Sequence, residues 1–184
     1  MHVVKSRGLV KISDPIIHGV NGMAPFIEDG VWIAPSATVV GDVHIGKNSS
    51  IWYQSVLRGD VGRILLGEEC NIQDGSVLHS TTGKSRVTLG NRISVGHRAI
   101  VHGCTAEDDV LIGMGAIVMD NSYLESGSIV AAGAVVLEET RIESGWIWAG
   151  VPAKPVKKLE IEDAMKMIRG TAKGYVEYKG WFEG

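Results

Sequence analysis

Aliphatic residues recur every six positions along most of this chain. The anchors are Ile33, Val39, Ile45, Ile51 and Leu57, then Leu66, Ile72 and Leu78, then Leu89, Val95 and Val101, and again Ile112, Val118, Leu124, Val130 and Val136. Two positions before most anchors stands a small residue: Ala37, Ser49, Ser55, Cys70, Ser76, Ala99, Ala116, Ser122, Ser128 or Ala134. Glycine follows several of them, at Gly46, Gly67, Gly90, Gly96 and Gly113. Such a repeat predicts a mainly β fold, a coil of short parallel strands whose anchors point inward. The small residue avoids crowding near a corner, and glycine is expected to take the tight turn where a Cβ would be strained. Strands of successive turns stack about 4.8 Å apart, so equivalent side chains form columns along each face.

The repeat is broken in informative places. Leu57 to Leu66 is nine residues and Leu78 to Leu89 is eleven, which predicts loops at about Gly59 to Arg63 and Thr81 to Arg86. One residue is missing between Val101 and Ile112; Val101 is kept as an anchor, with the loss after it. These features divide the chain into an irregular N-terminal segment, 1–26, with a capping strand at Ile12 to Ile17, a coil domain, 27–150, and a C-terminal region, 151–184. In the last region Leu159, Ala164, Met165 and Ile168 fall at helical spacing, with acidic residues early and basic ones late. A helix from Glu160 to Thr171 is expected there, its apolar stripe packed on the coil. Met165 and Met167 read as packing or surface residues.

Composition narrows the partners. With 18 basic and 21 acidic residues among 184, a net charge of -3 and no run of like charge, nothing points to a nucleic acid or a membrane surface. No stretch approaches the roughly 18 apolar residues of a membrane span, and the first ten residues carry no signal-peptide core, so a cytoplasmic location is the expectation. Two cysteines make no disulfide framework, and both Cys70 and Cys104 stand at small-residue positions, which reads as buried, reduced thiols.

Counting repeats rather than residues gives the histidines positions in space. Leu57, Leu78 and Val101 lie three repeats apart once loops are discounted, so Arg58, His79 and His102, each one position later, form one outward column. Two imidazoles stacked one turn apart can converge on an ion, because zinc ligands at about 2.0–2.1 Å in a tetrahedron need nitrogens only about 3.3 Å apart. His97 follows Val95 by two and lies around a corner, about 16 Å of extended chain from His102. That is too far to join the same ion within one chain, whereas a copy related by a three-fold axis could bring it there. His2, His18 and His44 are isolated and read as solvated surface residues.

RGD at Arg58 to Asp60, NIQD at Asn71 to Asp74, the histidine three residues after Ser76 and GHxxxxHGC at Gly96 to Cys104 together resemble the γ-class carbonic anhydrase family, from about Ile33 to Leu159. The resemblance implies a single-stranded left-handed parallel β-helix with a C-terminal α-helix, assembled as a homotrimer. It implies Zn2+ as cofactor, with Fe2+ as the alternative ion, held by His79, His97 and His102, the second of these donated by the adjacent subunit. It places Arg58, Asp60 and Asp74 in the interface network beside the site, and Gln73 as hydrogen-bond partner of the metal-bound water or bicarbonate. Gln73, Arg58 and Asp60 are thus the candidate catalytic residues. The implied reaction is reversible hydration of CO2 by metal-bound hydroxide at the trimer interfaces. Where the best-known members carry shuttle glutamates, this chain has Val61, Gly62 and Thr81 to Lys84. Two alternatives stay open. AGVPAKPVKKL resembles the segment closing the coil in hexapeptide acyltransferases, so an acyltransferase or thioesterase acting on CoA esters is the second reading. A trimeric zinc-binding protein with little turnover is the third.

Overall fold

The computed structural model describes residues 14–182, and their strands are parallel except at the coil's end. Three columns of strands run along the coil. The first stacks Trp32–Ile33, Ser50–Ile51, Asn71–Ile72, Ser94–Val95, Leu111–Ile112, Ile129–Val130 and Trp146–Ala149. The second aligns Val39, Leu57, Leu78, Val101, Val118 and Val136 on successive turns. The third aligns Ile27, Ile45, Leu66, Leu89, Ala106, Leu124 and Ile142. This is a hexapeptide-repeat β-helix, and every anchor from Val39 to Val136 is at most 1% exposed. The residue missing after Val101 is accounted for by Ala106, five positions on, which pairs with Leu89 and Leu124 and fills the third column.

The small positions do more than avoid crowding. Ser49, Ser55 and Ser76 donate their hydroxyls to Gly67, Gln73 and Gly96 carbonyls on the next turn, at 3.0, 2.8 and 2.9 Å. Each such bond adds about 0.5–1.5 kcal/mol and ties consecutive turns together inside the wall. The glycines after the anchors have a reason other than the expected one. Gly96 does not adopt positive φ; it is needed because a Cβ there would lie 2.6 Å from the Met114 nitrogen of the next turn. The left-handed corners are taken instead by polar residues such as Asn48, Arg92, Arg98 and Asn121 and by other glycines.

The two extensions differ in kind. Thr81 to Arg86 includes a turn that leaves the coil, as expected. Gly59 to Arg63 is not a separate loop but part of one strand, Val56–Leu66. There Gly59 pairs with Gly41 and Ile64 with Val43, so residues 60–63 bulge opposite Asp42 and carry Asp60 outward.

At the N-terminal side the strand Ile16–His18 lies parallel to Thr38–Val40; Ile12 and His2 are outside the described residues. At the other end Lys154–Lys158 turns back antiparallel on Trp146–Ala149. The helix then runs from Ile161 to Lys179, well past Thr171. Gly170 and Gly174 weaken its intrinsic propensity, but Ala164, Ile168, Ala172 and Lys179 form a buried stripe, and packing decides. Tyr175 packs edge-on against Trp52, and Phe182 against Trp32 and Trp52. No described helix is long and apolar enough to cross a membrane. Both cysteines are free and buried, and burial pushes each thiol up to about 12.

One ion-pair cluster pins this helix to the coil. Asp109, 2% exposed, accepts from Arg92 at 2.7 Å and from Arg169 of the helix at 2.9 Å. Burial acts to raise its carboxyl, and the two guanidiniums outweigh it, holding Asp109 below the ordinary carboxylate value. A carboxylate depressed in the folded state adds stability above its unfolded pKa of about 3.9, and that contribution is lost as pH falls through the folded value. Asp109→Asn is therefore expected to destabilise the protein by a constant amount above about pH 5, with the difference from the parent shrinking toward pH 3. Urea denaturation across that range measures it; an offset independent of pH would contradict the assignment.

Candidate metal centre

The second column of the coil sets the site. His79 and His102 end the strands Val77–His79 and Ile100–His102 and pair in register on adjacent turns. His79 Nδ1 and His102 Nε2 lie 3.2 Å apart. The opposite ring nitrogens both face carboxylates: His79 Nε2–H donates to Asp60 Oδ1 at 3.1 Å, and His102 Nδ1–H donates to Asp120 Oδ1 at 2.9 Å. A carboxylate only accepts, so the proton of each neutral imidazole sits on its far nitrogen. When both rings are neutral, the two near nitrogens point lone pairs at one another. That separation matches the roughly 3.3 Å edge of a tetrahedral zinc shell, so the pair fits a shared cation.

The carboxylates are themselves held. Arg58 donates to Asp60 Oδ2 at 2.5 Å. Asp120, 5% exposed, also accepts from Ser85 at 2.6 Å and Thr81 at 2.7 Å. Burial acts to raise both carboxyls, but hydrogen bonds from Arg58 and His79 hold Asp60 below the usual range, and those from Ser85, Thr81 and His102 do the same for Asp120. Both stay ionised acceptors at neutral pH.

His97 lies elsewhere in the chain. It follows Gly96 at the corner after the first column, with Nδ1 at an ion-pair distance of 2.9 Å from Asp74 Oδ2. Beside it is a mostly apolar groove between coil and helix, lined by Gln73, Met114, Ile112, Thr171 and Tyr175. Burial pushes the Tyr175 hydroxyl up to about 12, so it stays protonated there. Gln73 is 5% exposed; its amide donates to Asn71, which donates to Ser94, at 2.9 and 2.8 Å. The structure thus brings together Arg58, Asp60, His79 and His102 in one place and Gln73, Asp74 and His97 in another. Among the described residues no three metal-binding side chains converge within a single chain.

Asp120, Thr81 and Ser85 are the site residues that sequence reasoning missed. Asp120 follows Val118 by two, one turn along from Gly103, so the column that placed His102 also carried this signal. Thr81 and Ser85 lie in an extension with no register, and no count along the chain could have placed them. His44 is not merely solvated but pairs with Glu28 at 2.8 Å, away from the site.

A β-helix of hexapeptide repeats with two histidines backed by carboxylates defines a class, coil proteins with a metal-ready outer wall. Comparison with known proteins gives the family. The family model "Bacterial transferase hexapeptide (six repeats)" matches residues 24–59. The "Carbonic anhydrase" of Geobacillus kaustophilus is 41% identical over 162 residues, 88% of each chain. "Gamma carbonic anhydrase 2, mitochondrial" of Arabidopsis thaliana is 44% identical over 180 residues, 95% of this chain but 62% of that protein, so the chain spans a little under two thirds of this relative. The solved structure of a "hexapeptide transferase family protein" from Anaplasma phagocytophilum superimposes with a TM-score of 0.84 at 38% identity, covering 91% of this chain and 98% of that one. The chain belongs to the γ-class carbonic anhydrase-like family of hexapeptide-repeat β-helices.

Proposed function

We propose that the protein is a metal-dependent carbonic anhydrase that interconverts CO2 and bicarbonate at sites shared between the subunits of a homotrimer. The observation that carries this reading is the facing of His79 Nδ1 and His102 Nε2 at 3.2 Å, each with its other nitrogen committed to a carboxylate. In this reading His79 and His102 of one subunit and His97 of the next hold one Zn2+ or Fe2+; Asp60 and Asp120 fix the tautomers of the first two, and Asp74 stands 2.9 Å from the third. The ion supplies a Lewis acid that makes hydroxide available near pH 7. Three neutral imidazoles leave its charge undiminished, since the carboxylates act on the rings and not on the ion. Gln73, its amide oriented by Asn71, is the group proposed to hydrogen-bond water or bicarbonate. The apolar groove beside His97 suits a small nonpolar substrate such as CO2. Arg58 and Asp60 form the ion pair that joins this site to the interface. Val61, Gly62 and Thr81 to Lys84 put no carboxylate where the family's proton acceptors stand, so proton release falls to solvent and buffer.

The test is metal removal. The purified protein is expected to carry close to one metal ion per chain and to hydrate CO2, to lose activity on dialysis against a chelator, and to regain it with Zn2+ or Fe2+. Turnover of acetyl-CoA by the metal-free protein, without CO2 hydration by the loaded one, would replace this reading with that of an acyltransferase or thioesterase. Metal without either activity would leave a trimeric zinc-binding protein.

A further inference from the structure

Thr81 is only two residues beyond His79, yet its hydroxyl reaches the carboxylate that holds His102. Thr81 Oγ1 donates to Asp120 Oδ2 at 2.7 Å, and Ser85 Oγ donates to Oδ1 at 2.6 Å. Ser85 Oγ in turn accepts the Thr81 backbone N–H at 3.0 Å, and the Lys84 and Ser85 backbone N–H groups both donate to the Thr81 carbonyl at 3.1 Å. The extension between Leu78 and Leu89 is therefore a closed cradle around one buried carboxylate. Asp120 Oδ1 spends its remaining acceptor capacity on His102 Nδ1–H. Three donors from two elements leave this carboxylate little rotational freedom.

We propose that Asp120, held by Thr81 and Ser85, is the positioning residue for His102, and that the loop leaving His79 thereby sets the orientation of the second histidine. This rests on the metal site proposed above. The chemistry is that of the tautomer. Without an acceptor at Nδ1, the His102 proton can move to Nε2, and that form has no lone pair toward His79. A displaced Asp120 also frees the ring to rotate out of the column. The loop thus couples the two ligands that one chain supplies, so that ordering of one orders the other. Support of this kind for metal-binding histidines is typically worth 10–100-fold in metal affinity.

The experiment measures Co2+ and Zn2+ affinity by competition with a chelating dye, together with the Co2+ absorption spectrum and the melting temperature of the metal-free protein. The variants are Asp120→Ala and the double variant Thr81→Val with Ser85→Ala, which keeps the carboxylate but removes its cradle. Glu138→Gln is the control: among the described residues Glu138 pairs only with Lys84, at 2.8 Å at the outer rim, and Lys84 Nζ stands 4.0 Å from Asp120 Oδ2, outside the hydrogen-bonded cradle. Asp120→Ala is expected to weaken metal binding 10–100-fold and the double variant roughly tenfold. Both should change the Co2+ spectrum and leave metal-free melting within a few degrees of the parent. Wild-type affinity and spectrum in both variants would overturn the proposal, as would an equal loss in Glu138→Gln. A parent protein that binds no metal would overturn the site assignment beneath it, an outcome the parent titration alone reveals.

Discussion

His102→Ala is expected to abolish CO2 hydration and to lower metal affinity by far more than the 10–100-fold typical of a residue that only supports a ligand. Its side chain is part of the outer wall, not the prism, so the coil should remain folded and the loss should appear in chemistry rather than in melting temperature. His97→Ala is expected to do the same, although His97 stands in a different column with Asp74 and away from the other two. The pair gives a sharper test than either alone. If His79 and His102 of one subunit meet His97 of the next, a trimer mixing the two inactive chains contains an intact site wherever a His97→Ala chain precedes a His102→Ala chain around the three-fold axis. Random mixing at equal proportions places one such site in three of every four trimers, so about one quarter of wild-type activity should return. A site completed within one chain predicts no recovery, because every chain then lacks a ligand. Co-expression of the two variants, followed by metal analysis and CO2 hydration, distinguishes the two.

How far the chain announced this arrangement depends on which residues carry register. The anchors every six positions could be read directly, because an inward aliphatic at a fixed spacing leaves little choice of pairing, and His79 opposite His102 follows from Leu78 opposite Val101. The residue missing near Val101 falls after it, since Ala99 fills the buried small position while Arg98 sits at a left-handed corner. The bulge at 60–63 was less legible. A nine-residue spacing is as consistent with an excursion as with an unbroken strand, and only the pairing of Ile64 with Val43 separates them. The helix runs past Thr171 because packing decides its end: Ala172 and Lys179 are buried although the apolar spacing read from the chain stops at Ile168. Thr81 and Ser85 were out of reach altogether. A loop has no periodicity, and their partner, Asp120, is 35 or more positions away in sequence.

Gly103→Ala should join fold and site in one measurement. Gly103 follows His102 directly and has φ +60°, a left-handed conformation in which an alanine costs about 1–2 kcal/mol. A Cβ there would also overlap Asp120 Oδ1 and Ser85 Oγ, the two atoms that meet beneath His102. Gly133 separates the two costs, because it has φ +69° but no atom within 4 Å of an added Cβ. Gly133→Ala is therefore expected to lose about 1–2 kcal/mol of stability with metal binding unchanged. Gly103→Ala pays the same strain and must in addition push Asp120 away from His102 Nδ1, so its loss should be larger and its metal affinity at least about tenfold weaker. Urea denaturation of the metal-free variants and chelator competition of the loaded ones give the two readings separately. Equal destabilisation with equal metal affinity would mean that the carboxylate moves aside without consequence, and that the glycine beside His102 serves the turn alone.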